Sequence, residues 1–128
     1  MDRIKILLSD LDQANQKLKE ASLLPGENDI NRDATIQRFE FTFELVWKLI
    51  QEIAKDHNKP IYGPKNCIRF AANIQLVNDP KTWFEYHNQR NQTTHIYNQD
   101  MAKKVYQNIK TFYKDVTTLI ANIKKYLN

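Results

Sequence analysis

Asn31–His57, NRDATIQRFEFTFELVWKLIQEIAKDH, is the stretch on which the fold turns. Ile36, Phe39, Phe43, Val46, Ile50 and Ile53 recur in steps of three and four, the spacing of one face of an α-helix. A second stripe, Phe41, Leu45, Trp47 and Leu49, makes the segment apolar over more than half its circumference. A helix covered so widely is either central to its fold or in contact with a partner. Asn31 or Asp33 is placed to cap its start, since a short polar side chain there can accept the first free backbone N–H groups.

The neighbouring segments follow the same period. Ile4, Leu7, Leu11, Ala14, Leu18 and Ala21 form one face of a first helix, which ends where Pro25 and Gly26 break the pattern. Pro64 opens a short helix, PKNCIRFAANIQL, and Asp79-Pro80 reads as an N-cap and first-turn proline opening another, PKTWFEYHNQRNQ. These two form a helical hairpin. From about Asn98 the positions Ala102, Val105, Ile109, Phe112, Val116, Leu119, Ile123 and Tyr126 mark a long final helix that packs along its whole length. No stretch reads as a strand, repeat or low-complexity segment. The expected fold is all-α, an antiparallel up-and-down helical bundle with a short helical hairpin, in one domain over residues 1–128.

Composition narrows the chemistry. Nineteen Lys and Arg against fifteen Asp and Glu give a net charge of +4, which permits contact with phosphate or nucleic acid without requiring it. The single cysteine, Cys67, leaves no internal disulfide framework, and the N-terminal residues lack a signal-peptide core, so the expected location is cytoplasmic. No apolar run approaches the roughly 20 residues that span a bilayer. Two glycines leave no material for a Walker or Rossmann phosphate loop.

Few side chains are candidates for chemistry. His57, His87 and His95 do not pair with acids or thiols at ligand spacing, so no metal site is expected. Cys67 sits on the apolar side of a short helix, where core packing is a better reading than nucleophile. Glu40, Glu44 and Lys48, four residues apart, read either as an acidic pair that holds a ligand or as an i,i+4 ladder worth a few tenths of a kcal/mol. The stretch RNQTTHIY, residues 90–97, holds Arg90 and His95. On a continuous helix they would point roughly 140° apart. The β-branched pair Thr93-Thr94, with Asn98 as the next cap, suggests instead that the helix ends just after Arg90 and that a turn brings both groups to one surface. The structural alternative is a polar helix junction in which Arg90 pairs with a carboxylate and His95 caps carbonyls.

Three motifs in order, DATIQRFEFTFELVWK, CIRFAANIQLVND followed by Trp83, and RNQTTHIY, are similar to the signatures of the small HEPN proteins encoded beside minimal nucleotidyltransferases. These are called nucleotidyltransferase substrate-binding proteins and include the HepT-type toxins. The resemblance runs from the second helix nearly to the end of the chain. Gln75 stands where that family usually has glycine and Phe70 where an acid is common.

The resemblance implies a homodimer with Arg90 and His95 facing a cleft between subunits, metal-independent RNA cleavage without a cofactor, and a cognate nucleotidyltransferase that adds AMP to Tyr97. Such cleavage, which leaves a 2′,3′-cyclic phosphate, requires a group near neutral pKa to take the 2′-OH proton and a cation to stabilise the phosphorane. Histidine and arginine supply both, and a second His95 across a two-fold axis would supply the acid for the leaving oxygen. The apolar excess of the second helix fits the same dimer. Asn91 either orients the phosphate or supports the turn. Tyr97 is a base-stacking platform, a modification site or an amphipathic residue at a helix start. The competing reading is a binding module, the non-catalytic substrate-binding subunit of a two-chain nucleotidyltransferase.

Overall fold

Five α-helices carry the chain: α1 Asp2–Ser22, α2 Asp29–Asp56, α3 Pro64–Asn73, α4 Pro80–Gln92 and α5 Gln99–Leu127, with a 3-10 turn at Thr93–His95 between the last two. This is a computed structural model, and it describes residues 2–25, 28–95 and 99–128, among which no strand occurs. The bundle is all-α, and it has the hairpin expected from the two proline-initiated segments.

Cross-helix hydrogen bonds define its direction. The Thr35 hydroxyl donates to the Ala21 carbonyl, the Thr42 hydroxyl to Ala14, and Arg3 pairs with Glu52, so numbers rise on α2 as they fall on α1. The two helices are antiparallel. Between α1 and α5, Asn15 Nδ2 donates to the Tyr113 carbonyl and to Thr117 Oγ1, both at 3.1 Å, and the Tyr106 hydroxyl reaches the Ser22 carbonyl at 3.3 Å. These are antiparallel too, which leaves α2 and α5 running the same way.

α2 is the central element. It packs against α1, α3, α4 and α5, and its second stripe is spent on those contacts: Leu45 and Leu49 are buried and Trp47 is half-buried. Only Phe41, 61% exposed, remains outside. The apolar excess therefore serves this chain's own core, and it no longer argues for a second copy. At the middle of that core Phe112 of α5 is fully buried, edge-on to Phe39 at 4.8 Å and to Tyr86 at 4.9 Å.

The start of α2 differs from the sequence reading. Its N-cap is Asn28, whose side chain accepts from the N–H groups of Ile30 at 2.8 Å and Asn31 at 3.2 Å. Neither Asn31 nor Asp33 caps it. The first turn is largely solvated, with Ile30 exposed, so apolar periodicity could not reveal it. By contrast Asp79 and Pro80 behave as expected, with the Asp79 carboxylate accepting from Lys81 N–H at 3.0 Å.

Gln75 occupies a position that favours glycine. α3 closes with Leu76 N–H bonded to the Ala71 carbonyl and Gln75 N–H to Ala72, a Schellman motif that places Gln75 in the left-handed region at φ 63°. A side chain there costs about 1 kcal/mol or more relative to glycine. Gln75→Gly should accordingly raise stability by about 1 kcal/mol, seen as a rise of about 4 °C in the thermal midpoint. An unchanged or lowered midpoint would mean that the Gln75 side chain makes compensating contacts.

Candidate functional site

α4 ends two residues later than the sequence suggested, at Gln92, and passes directly into the 3-10 turn. It runs antiparallel to α2, so its last turn lies over the middle of that helix. There Arg90 Nη1 is 3.1 Å from Glu40 Oε2 and Nε is 3.9 Å from Glu44 Oε1. Two acids one helical turn apart thus face one edge of a single guanidinium. Glu40 and Glu44 are an acidic pair holding a cation, and that cation is Arg90. Glu44 also stands 3.9 Å from Lys48, so the ladder reading holds for its lower half.

Thr93 ties the turn to this pair. Its buried hydroxyl lies 2.9 Å from Glu40 Oε2 and 2.6 Å from the Arg90 carbonyl oxygen, and its one proton serves one acceptor at a time. It also accepts from Arg90 Nη1 at 3.3 Å. Arg90 and Glu40 are 26% and 27% exposed, so the pair is only partly screened by solvent and fixes the guanidinium plane more firmly than a surface contact could. Among the described residues no hydrogen bond takes Nη2, which is not buried and remains available to an anion.

The other expected residues are placed unevenly. Asn91 is exposed at the end of α4, and its carbonyl accepts from the Thr94 hydroxyl at 3.0 Å, a backbone role that supports the turn. His95 closes the 3-10 turn, and its described atoms are those of its backbone. Tyr97 and the proposed cap Asn98 lie outside the described residues. The break that takes Arg90 and His95 off a single regular helix is present; the position of the imidazole itself is not among the described features.

The remaining candidates sort by environment. Cys67 is fully buried, and burial pushes its thiol up to about 11, which keeps it protonated and inert at neutral pH. His57 is a helix-end residue: its Nδ1 meets the Ile53 carbonyl oxygen at 2.9 Å and its Nε2 meets the Tyr126 hydroxyl at 2.5 Å. Tyr86 donates to Asp115 Oδ2 at 2.5 Å and joins α4 to α5; burial and this bond raise its phenol well above the usual range. No cluster of three metal-ligating side chains occurs among the described residues. No helix there is long and apolar enough to cross a membrane.

Residues 7–125 match the family model for nucleotidyltransferase substrate binding protein like sequences. The chain belongs to this nucleotidyltransferase substrate-binding family. A Haemophilus influenzae relative named probable ribonuclease HepT is 32% identical over 95 residues, covering 70% of this chain and 65% of that protein. The chain thus matches just under two thirds of the relative's length. Among solved structures, one from Thermus thermophilus superposes with a TM-score of 0.81 at 28% identity, covering 87% of this chain and 96% of that one. HI0074 from Haemophilus influenzae, whose structure is described as revealing the fold of a substrate binding domain of a nucleotidyltransferase, superposes with a TM-score of 0.71 at 25% identity, covering 96% and 98%. The substrate-binding family therefore shares this bundle over nearly its whole length.

Proposed function

We propose that this protein is a metal-independent endoribonuclease toxin, partnered and neutralised by a minimal nucleotidyltransferase that transfers AMP to Tyr97. The observation that carries the reading is the Arg90 guanidinium, held on one edge by Glu40 and Glu44 and turned at a helix end one short turn before His95. A phosphorane needs a cation whose orientation is set before the substrate arrives, because preorganised charge does not reorganise during the reaction. Arg90 is such a cation, and Nη2 is its free donor. His95 takes or gives the proton. The relative named as a probable ribonuclease supports RNA as the substrate, and the family description supports a nucleotidyltransferase as the partner. A homodimer with the site at a two-fold cleft and a cytoplasmic location complete the proposal.

Unmodified protein should cut single-stranded RNA in the presence of EDTA and leave 2′,3′-cyclic phosphate ends. Arg90→Ala and His95→Ala should each lower the rate on the order of 10² or more, with helical content unchanged. Equal cleavage by all three proteins would reveal a contaminating nuclease. The second reading, a substrate-binding subunit with no chemistry of its own, rests on the family description and on the near-neutral pairing of Arg90 with two carboxylates. It predicts no cleavage by any of the three.

A further inference from the structure

Cleavage asks for two proton-transfer groups, and the dimeric scheme obtains them from two copies of His95. A second imidazole stands in the same chain. His87 lies on α4 three residues before Arg90 and so on the same side of the helix. Its ring stacks on Phe43 of α2 at 5.9 Å with the planes 19° apart. Phe43 adjoins Glu44, the carboxylate that also reaches Arg90, so His87 and Arg90 occupy successive turns of α4 above one patch of α2. His87 Nδ1 is buried with no hydrogen-bond partner, while Nε2 is neither buried nor bonded among the described residues. Nε2 is the nitrogen left for a ligand.

Resting on the ribonuclease reading, we propose that His87 is a further catalytic residue of this site, accepting the proton of the attacking 2′-OH at Nε2 while His95 of the same chain protonates the leaving 5′ oxygen. The O2′–P bond forms as the P–O5′ bond breaks. One proton passes from O2′ to His87 and another from His95 to O5′, and exchange with water restores both rings. Eight residues separate the two histidines, roughly 12 Å at 1.5 Å per residue, a span that lets two imidazoles flank one phosphate. The phosphate would then lie over Arg90, which stands between them in sequence. Each subunit would hold a complete acid–base pair.

The charges around His87 suit a base. Burial lowers its pKa from the ordinary value near 6.5, Lys65 of α3 and Arg90 push the same way, and Glu44 of α2 opposes them. The ring is therefore neutral at pH 7, the form that can accept a proton. As pH falls through its lowered pKa, His87 becomes protonated and base function is lost. The acidic limb of the pH–rate profile should have its midpoint below 6.5.

The test is that profile, measured in EDTA on single-stranded RNA for wild type, His87→Phe and His87→Gln. His87→Phe keeps an aromatic ring on Phe43 and removes the titratable nitrogen. It should lose on the order of 10² in kcat, and its acidic limb should flatten. His87→Gln, which keeps a polar side chain, should show the same loss and answers the question if the phenylalanine variant fails to fold. Wild-type cleavage with an unchanged acidic limb in a folded variant would overturn the assignment, make His87 a packing residue and leave the ribonuclease reading standing. RNA left intact by wild type itself would overturn both.

Discussion

Tyr97→Phe should leave RNA cleavage intact while abolishing AMP transfer by the partner. The reaction needs a nucleophilic oxygen: the Tyr97 hydroxyl would attack the α-phosphorus of ATP, lose its proton and displace pyrophosphate, and phenylalanine has no oxygen to offer. In the unsubstituted protein, incubated with the cognate nucleotidyltransferase, ATP and Mg²⁺, intact mass should rise by one AMP and peptide mapping should place it on Tyr97. The adduct brings a phosphodiester charge two residues from His95, where it repels the RNA phosphates that must enter, so cleavage should fall as modification rises. Modification of another residue, or covalent silencing of the Tyr97→Phe protein, would sink this account and leave masking by protein contact as the mode of neutralisation.

Phe112→Ala should cost about 4 kcal/mol of stability, in the range seen when a buried aromatic ring is removed and its cavity only partly collapses. The reason is its position. The ring is fully buried and touches helices on every side, meeting Phe39 and Phe43 of α2 at 4.8 and 6.4 Å, and Trp83 and Tyr86 of α4 at 6.0 and 4.9 Å. Domains of this size are stable by only about 5–15 kcal/mol, so a large share would be lost and the thermal midpoint would fall by about 15 °C. Urea denaturation followed by circular dichroism measures it. A cost under about 1 kcal/mol would show that these rings do not pack as a unit.

Legibility in the sequence depends on range. The faces of α1, α2 and α5 are legible because each repeats the 3.6-residue helical period over five or more turns, and α4 is legible because Asp79-Pro80 marks a start by local chemistry alone. The start of α2 is not, since Asn28, Asn31 and Asp33 all have capping side chains and nothing apolar distinguishes the first turn. The pairing of Arg90 with Glu40 and Glu44 is hidden for a different reason. An acid pair and a cation are each visible, but the antiparallel register of α4 on α2 that joins such distant residues is settled by side-chain packing across the whole core. His87 has no ligand partners at metal-binding spacing, and that spacing is all the sequence offers to test a histidine against. Its three-residue distance from Arg90 gains meaning only with the stack on Phe43, a contact between helices that no local pattern encodes.

Asn15 has a mechanical consequence. Its amide spans two acceptors on α5, the Tyr113 carbonyl and Thr117 Oγ1, in surroundings otherwise apolar. Leucine and isoleucine neighbours would allow α1 to creep along α5 by small steps, since one methyl group is nearly as good a neighbour as another. A buried amide does not permit this: displaced by an ångström or two it loses both acceptors, and the next carbonyl ladder position is a full turn away. The α1–α5 contact therefore works like a ratchet tooth rather than a greased bearing, and an axial pull on α1 is handed to α5, the helix that begins just beyond the RNQTTHIY turn.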